Sequence, residues 1–144
     1  MQITASYTFN APLARVWDLL MDPAAIAACV PGCDAFEAAG DDRYRVCLTV
    51  ALAAITGTYD GTVAISDRVP QTSYRLHVEG KGRPGFVKGE AVIRLRAEGA
   101  ATIVDVDGTV HTGGPIARVG QRLIGSVAKM MQDQFFARLK ARLT

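Results

Sequence analysis

Apolar and polar residues alternate over most of this chain, a pattern with the period of two that is typical of β-strands buried on one face. Residues 2–9 place Ile3, Ala5, Tyr7 and Phe9 on one side and hydroxyl or amide side chains on the other. This segment therefore predicts a half-buried N-terminal strand.

The alternation resumes at Arg43 and continues over most of the chain up to residue 110. Turn signals at residues 68–71, 82–85 and 98–100 separate its later runs. We predict five long antiparallel strands, preceded by a short strand near residues 34–38. One face of the first long strand carries Tyr44, Val46, Leu48, Val50 and Leu52.

Two short helices are predicted directly after the N-terminal strand. Asn10 can cap the first helix, Pro12 fits its first turn, and apolar residues at helical spacing carry it to about Met21. Asp22, again followed by a proline, is the expected cap of a second helix at residues 24–29.

The last part of the chain has the period of an amphipathic helix. It opens at Pro115 after two glycines and meets no strong stop before Leu143, which predicts a helix about 43 Å long. Its apolar face comprises Ile116, Val119, Leu123, Ile124, Val127, Met130, Met131 and Phe135. Its opposite face is basic and comprises Arg118, Arg122, Lys129 and Lys140.

This order of elements predicts an α+β fold in which a curved antiparallel sheet wraps around the long C-terminal helix. Several strand glycines share the inward parity of the apolar residues, where they would leave space beneath the helix. They are Gly57, Gly61, Gly80, Gly82, Gly89 and Gly108. We therefore expect a cavity within a single domain that covers residues 1–144, and we expect Gly108→Leu to fill it.

Composition fits such a domain, because 49% of the 144 residues are hydrophobic, which gives enough apolar material for one core and argues against disorder. No apolar run is long enough to cross a membrane, and residues 1–10 lack the regions of a secretion leader. We therefore expect a cytoplasmic protein. Three cysteines, Cys29, Cys33 and Cys47, are too few for a disulfide scaffold.

Positive charge is concentrated near the C-terminus. The net charge is +2, but residues 115–144 hold six basic residues and one acidic residue, and residues 1–114 have a balance of −3. Such a basic helix face is either a solvated surface or a contact for an anionic membrane or an acidic partner. Nucleic acid is not expected as a partner, because no aromatic residues are interleaved with the basic ones.

The inward strand positions offer no acid–base pair, because they hold aliphatic residues, glycine or tyrosine. His77 and His111 have the outward parity and are interpreted as surface residues. Cys29 and Cys33 match half of a zinc site, but no second pair follows. We expect no catalytic residue, no metal and no cofactor that belongs to the chain itself.

Four segments resemble one known family: DPAAIAACVPGCDAFE, TGTYDGTVAISD, GFVKGEAVIRL and GGPIARVGQRLIGSVAKMMQDQFFARLKARL. Together they are similar to the carbon monoxide dehydrogenase CoxG family, within the START-like, helix-grip (SRPBCC) superfamily. The most specific parts are the Pro-Gly-Cys turn at residues 31–33 and the opening of the long helix at residues 114–123.

The resemblance implies a helix-grip fold with an apolar cavity and an accessory role beside a carbon monoxide dehydrogenase-type molybdenum hydroxylase. Members are associated with recruiting the enzyme to the membrane and with binding a lipophilic quinone that takes its electrons. Members often carry a hydrophobic C-terminal anchor, whereas this sequence ends at Thr144. We expect a weaker, charge-driven contact with the inner face of the cell membrane or with the enzyme, through Arg118, Arg122, Lys129 and Lys140.

We expect a quinone or another lipophilic ring compound to occupy the cavity. Tyr59 or Tyr74 would donate one orienting hydrogen bond, and Phe86, in the turn at residues 83–87, would cover the mouth. The predicted ligand-binding residues are Leu48, Val50, Tyr59, Val63, Tyr74, Leu76, Val78, Phe86, Ile93, Leu95, Val106, Val119, Leu123 and Val127.

Two alternatives stay open at the level of the sequence. One is an enzyme of the same superfamily that acts on a hydrophobic cyclic substrate through tyrosines or bound water. The other is a pure assembly factor that docks its partner through the basic C-terminal helix and has a fully packed interior.

Overall fold

The computed structural model describes residues 1–51 and 55–143, which form a seven-stranded antiparallel sheet with helices on its inner face. The order in the sheet is β1-β7-β6-β5-β4-β3-β2, so β7 returns to pair with β1. The strands are β1 (Gln2–Phe9), β2 (Cys33–Ala38), β3 (Arg43–Val50), β4 (Gly57–Val69), β5 (Ser73–Gly82), β6 (Gly85–Glu98) and β7 (Ala101–Gly113).

The predicted strands are confirmed. The short strand near residues 34–38 is β2, and the five long strands are β3 to β7. The predicted turns join β4 to β5, β5 to β6 and β6 to β7. Leu52, which the alternation assigns to the end of the first long strand, lies outside the described residues.

Two helices, α1 (Leu13–Leu20) and α2 (Pro23–Cys29), follow β1 as predicted. Asp22 caps α2, and its Oδ1 accepts a hydrogen bond of 3.0 Å from the backbone N–H of Ala24. The prediction that Asn10 caps α1 is wrong. Pro12 is the N-cap, with an extended conformation (φ −64°, ψ 153°) and no capping side-chain hydrogen bond, so the helix begins after it.

The C-terminal helix is shorter than predicted. A 3-10 segment, Pro115–Val119, comes first, and α3 (Gln121–Ala141) begins after Gly120. Gly120 has a φ of 92° and a ψ of 151°, a region that glycine alone enters without strain. The 21 residues of α3 span about 32 Å rather than about 43 Å. In the described part of the chain, no helix combines the length and the apolar character needed to cross a bilayer.

Buried apolar residues form two clusters on the inner face of the sheet. The larger one lies where α1 and the end of α3 cover the sheet, and in it Val16, Val104 and Leu139 have no exposed surface. The smaller one lies at the start of α3 and includes Tyr59 and Ile124. Burial of each such side chain contributes about 1.5–3 kcal/mol, so the two clusters hold the helices against the sheet at two separate places.

A polar cluster fixes α3 to β1. The Tyr7 hydroxyl donates to Asp133 Oδ1 at 2.6 Å and accepts from Gln132 Nε2 at 3.0 Å. Lys129 Nζ lies 2.8 Å from the second carboxylate oxygen of Asp133. The Tyr7 ring stacks on Phe136, with 4.1 Å between the ring centroids. Burial and then the hydrogen bond to Asp133 raise the pKa of Tyr7 to about 12, so its hydroxyl stays protonated near neutral pH.

Candidate ligand-binding cavity

A cavity of about 430 Å³ lies between the inner face of the sheet and the helices α2 and α3. Its wall is almost entirely apolar, and it is partly open to solvent. Sites for small organic ligands have volumes of roughly 300–1,000 Å³. The space beneath the helix therefore has the size and the lining of a ligand site.

Eight of the predicted residues line this cavity. They occupy inward positions on β3, β4 and β5 and one position on α3. They are Leu48, Val50, Tyr59, Val63, Tyr74, Leu76, Val78 and Val127. The structure thus brings together the predicted sheet wall, and the part these residues play in binding a ligand stays a prediction.

Ile93, Leu95 and Val106 lie in the larger core cluster instead of the cavity wall. Helix α1 packs against β6 and β7 and covers this part of the sheet. Because α1 fills the space above these side chains, the prediction that they line the cavity is wrong.

Phe86 lies on the outer face of the sheet, where its side chain is 44% exposed. Its ring lies over Gly113, its partner in the β6–β7 register, so it does not cover the cavity. The inward neighbour of Phe86, Val87, lines the cavity in its place. Val119 and Leu123 are also outside the wall. Val119 lies in the 3-10 segment before the break at Gly120, and Leu123 lies on α3 to one side of the face that lines the cavity.

Two strand glycines, Gly61 and Gly80, line the cavity and face each other in register across β4 and β5. A Cβ atom on Gly80 would meet nothing within 4 Å, whereas one on Gly61 would collide with the backbone oxygen of Glu79. Gly108 is not part of the wall, and a Cβ atom there would lie 2.9 Å from Cβ of Ala91. The expectation that Gly108→Leu fills the cavity is therefore wrong, and Gly80 is the position that opens onto free space.

Sequence reasoning missed one wall of the cavity. It is formed by the end of α1, by α2 and by the β2–β3 hairpin, and it comprises Leu20, Met21, Pro23, Ile26, Val30, Phe36, Tyr44 and Val46. Within it the rings of Phe36 and Tyr44 stack with their centroids 4.8 Å apart. The inward parity of Tyr44 and Val46 could have identified these two as lining residues. The residues of α2 could not be identified in this way, because the position of α2 depends on its packing against α3.

The prediction also named too few of the α3 residues that line the cavity. Its members besides Val127 are Ile124, Ala128, Met131 and Phe135. Ile124, Met131 and Phe135 belong to the apolar face that the helical period indicates, so the signal for them was present in the sequence.

The buried tyrosines Tyr59 and Tyr74 differ in what their hydroxyls contact. The Tyr59 hydroxyl donates to the backbone carbonyl of Ile55 at 2.6 Å. The Tyr74 hydroxyl has no hydrogen-bond partner among the described residues, although its side chain is only 6% exposed and its ring meets Trp17 edge-on, with 5.8 Å between the centroids. Burial raises the pKa of both tyrosines, so both keep their protons near neutral pH. Of these two tyrosines, Tyr74 is therefore the one whose hydroxyl can donate a hydrogen bond to a guest.

Other titratable groups near the cavity point away from it. Glu79 reaches the wall, but its side chain is exposed, and its Oε1 lies 3.8 Å from Lys88 Nζ. His77 lies between Ser66 Oγ, 3.3 Å from its Nε2, and Glu90 Oε1, 3.4 Å from its Nδ1. This order resembles a hydrolase triad, but it lies on the sheet face opposite the cavity. Within the described ranges, no group of three or more His, Cys, Asp or Glu residues is placed to hold a metal ion.

The predicted basic face of the C-terminal helix is not continuous. Arg118 belongs to the 3-10 segment, and the break at Gly120 separates it from Arg122 on α3. Lys129 has an ion pair within α3, and Lys140 lies over two aromatic rings of β1, 5.9 and 5.7 Å from their centroids. The prediction is therefore wrong for Arg118, whereas Arg122, Lys129 and Lys140 keep the helical spacing on α3. Arg118 and Arg122 are the members that stay exposed without an ion pair to the described residues.

Comparison with protein families gives one match over nearly the whole chain. The family model for CoxG, described as a subunit of carbon monoxide dehydrogenase, matches residues 6–144. The chain belongs to the CoxG family. The match confirms the resemblance carried by the four sequence segments, and it associates the chain with an accessory component of carbon monoxide dehydrogenase.

Several solved structures have the same fold as this CoxG-family chain. A conserved protein from Geobacillus kaustophilus is 34% identical, with a TM-score of 0.95 over 99% of this chain and 94% of its own. A START superfamily protein from Mycobacterium smegmatis is 12% identical, with a TM-score of 0.72 over 98% and 95% of the two chains. A protein from Thermus thermophilus is 16% identical, with a TM-score of 0.71 over 99% and 96%. The fold is START-like, of the helix-grip type, as predicted. Comparison with curated proteins finds no match.

Proposed function

We propose that this protein is a non-catalytic carrier of a lipophilic ring compound, a quinone, and that it serves a carbon monoxide dehydrogenase-type molybdenum hydroxylase. The quinone is cargo rather than a resident cofactor. It binds between the sheet and α3, takes up electrons and protons when the carrier meets the enzyme, and leaves as the quinol.

The observation that carries this proposal is the Tyr74 hydroxyl, which has no partner among the described residues and belongs to a residue that lines an almost entirely apolar cavity of about 430 Å³. An apolar cavity of about 150 Å³ is already enough for benzene, so a substituted ring fits. A ring carbonyl in the cavity would accept a hydrogen bond from this hydroxyl, which adds to the affinity that burial of the apolar ring supplies. Quinones combine a flat apolar ring with such carbonyl acceptors.

In this role the protein orients the ring and excludes water, and the redox change belongs to the enzyme and the quinone. Tyr59 and Tyr74 have raised pKa values and neither take up nor release a proton readily near neutral pH. The exposed side chain of Glu79 is engaged with Lys88. These features support a carrier rather than an acid–base catalyst.

The single tryptophan provides a direct test. Trp17 packs against Tyr74, which lines the cavity, and a quinone quenches indole fluorescence by accepting an electron from the excited ring. Titration with a short-chain ubiquinone or menaquinone analogue should quench Trp17 emission to saturation. A phenol or alkane of similar size serves as the control for changes in Trp17 fluorescence that do not involve electron transfer.

Mass spectrometry of an organic extract of the protein from its native host then identifies the cargo. A quinone or another isoprenoid in the extract supports the proposal. An extract without any lipophilic compound, together with unsaturable quenching, contradicts it and favours the assembly factor. Turnover of a cyclic substrate that Tyr59→Phe abolishes would instead favour the enzyme.

A further inference from the structure

A serine, a histidine and a glutamate lie next to one another on the outer face of the sheet, away from the cavity. They are Ser66 on β4, His77 on β5 and Glu90 on β6. Ser66 Oγ lies 3.3 Å from His77 Nε2, and His77 Nδ1 lies 3.4 Å from Glu90 Oε1. A hydroxyl beside a base that is itself held by a third group is the arrangement that activates a nucleophile.

The strand register explains why these three side chains meet. His77 is directly opposite Ala64 on β4, so it lies diagonally next to Ser66, and it is directly opposite Glu90 on β6. Side chains in such positions on one face of a sheet are within reach of each other. Backbone pairing of three neighbouring strands therefore fixes the arrangement.

The contact with Glu90 sets the direction of the hydrogen bond to Ser66. A carboxylate beside Nδ1 favours the neutral tautomer of His77 with the proton on that nitrogen, which leaves Nε2 as an acceptor. The Ser66 hydroxyl then donates to Nε2. His77 is thus placed to take the Ser66 proton when the hydroxyl oxygen attacks a carbonyl carbon.

A positive charge lies beside the same hydroxyl. Arg75 is directly opposite Ser66 in the β4–β5 register, and its Nε lies 3.2 Å from Oδ2 of Asp67, the residue that follows Ser66. This ion pair keeps the guanidinium near the serine. The guanidinium can stabilise the negative charge that develops on an acyl oxygen during attack.

The backbone is irregular immediately after Ser66. The β4–β5 register shifts between Ser66 and Val69, and Asp67 has a φ of 51°, in the left-handed region. Bulges change the direction of neighbouring side chains and are frequent beside active sites. The His77 side chain is 39% exposed, so a donor can approach from solvent. Because the site lies on an open face, it can contact the reactive carbonyl but little of a long acyl chain.

We propose that Ser66 is a nucleophile that takes a small acyl group from an activated ester or thioester. Its Oγ forms a bond to the acyl carbon, its proton passes to His77 Nε2, and the bond from the acyl carbon to the leaving oxygen or sulfur breaks. The leaving group departs with the electron pair and receives the proton from His77 or from water. The product is an acyl-serine on the outer face, so this inference does not rest on the carrier function of the cavity.

The test uses p-nitrophenyl acetate as the acyl donor and measures the acetylation rate of each serine by peptide mass spectrometry. Ser126 on α3 is an internal control, because it is exposed and its Oγ donates to the backbone carbonyl of Arg122 at 2.9 Å. A general base accelerates such a reaction by about a hundredfold or more. Ser66 should therefore be acetylated at least about a hundredfold faster than Ser126. Equal rates at the two serines would overturn the proposal without any need for a variant.

Two histidine variants identify the base. His77→Gln should slow acetylation of Ser66 by about a hundredfold or more. His111→Gln removes an exposed histidine that has no such contact with a serine among the described residues, and it should leave the rate unchanged. An equal loss in both variants, or acetylation of His77 in place of Ser66, contradicts the assignment.

Two further pairs of variants test the groups around the serine. Arg75→Gln should slow the reaction, whereas Arg94→Gln, at an exposed arginine of β6, should not. Glu90 is a positioning residue. Glu90→Gln should slow the reaction, because an amide can donate to Nδ1 and favour the other tautomer, and Glu90→Asp, which keeps a carboxylate, should react faster than Glu90→Gln. Equal rates for these two Glu90 variants would show that the carboxylate does not set the tautomer.

Discussion

Gly61 lies directly opposite Gly80 across β4 and β5, and together they leave a gap in the sheet wall of the cavity. The two positions are not equivalent. A side chain at Gly61 would collide with the backbone of Glu79, whereas a side chain at Gly80 would extend into open space. The size of the cavity is therefore adjustable at Gly80 alone of this pair.

Gly80→Leu should abolish quinone binding and leave the fold intact. The leucine side chain would occupy the cavity, and its burial should raise the free energy of unfolding by up to about 1.5–3 kcal/mol. Trp17 quenching measures the binding, and urea denaturation measures the stability. Gly80→Ala is the control and should retain most of the affinity. Undiminished binding by a stable Gly80→Leu protein would show that the guest lies elsewhere.

Tyr74→Phe should weaken binding of a ring with a carbonyl acceptor by about twofold to tenfold, since a hydrogen bond contributes roughly 0.5–1.5 kcal/mol. Stability should not fall, because the Tyr74 hydroxyl has no partner within the described chain. The same variant should bind an aromatic hydrocarbon of similar size as wild type does. A loss of affinity for both ligands would point to altered packing against Trp17 instead.

Tyr59→Phe should lower stability and have little effect on binding, the reverse of what is expected for Tyr74→Phe. Its hydroxyl donates to the carbonyl of Ile55, so its removal leaves that buried acceptor unsatisfied and should cost about 1–3 kcal/mol of stability. Affinity for the quinone should change by less than in Tyr74→Phe. Chemical denaturation and quenching of the two variants, measured side by side, separate the donor to the guest from the donor to the backbone.

The sheet wall of the cavity could be predicted because the period of two fixes which side chains face inward. Leu48, Val63 and Leu76 follow from it directly. The period does not show which part of the inner face a helix covers. Ile93 and Leu95 have the same parity, but they lie under α1. Tertiary packing alone distinguishes the lining residues from the core residues.

The break in the C-terminal helix could not be predicted for a different reason. A glycine inside a helix costs only about 1 kcal/mol, so Gly120 is compatible with a continuous helix on local grounds. The break is favoured by a distant contact, the hydrogen bond from Ile116 to the carbonyl of Pro84 in the β5–β6 turn. That contact also moves Arg118 away from the other basic residues of the predicted stripe.

Gly120→Ala should destabilise the protein by about 1–3 kcal/mol. Its Cβ atom would meet nothing within 4 Å, so the cost is that of the backbone conformation with φ 92° and not of a collision. The control is Gly125→Ala in the interior of α3, where the Cβ atom would lie 3.2 Å from the flexible end of Met1. This control should be neutral or more stable by about 0.5–1 kcal/mol. Equal urea midpoints for the two variants would argue for an unbroken helix.

Stability should fall in alkaline solution partly through Tyr7. Its pKa is raised from 10.0 to about 12, so its neutral form is favoured in the folded protein. Stabilisation from this group is complete below its unfolded pKa and is lost as the pH rises through the folded value. Between about pH 10 and about pH 12, the urea midpoint of wild type should fall more steeply than that of Tyr7→Phe. Parallel slopes would show that folding does not raise the pKa of Tyr7.

The bond between Tyr7 and Asp133 joins residues 126 positions apart in the chain. The segment that forms α3 must therefore be synthesised before it can pack against β1. Contacts between residues so far apart in sequence slow folding. Until they form, the apolar inner face of the sheet stays exposed to solvent. In the cell this interval is the time when a chaperone, or the lipophilic guest itself, would have most influence on whether the newly made chain matures or aggregates.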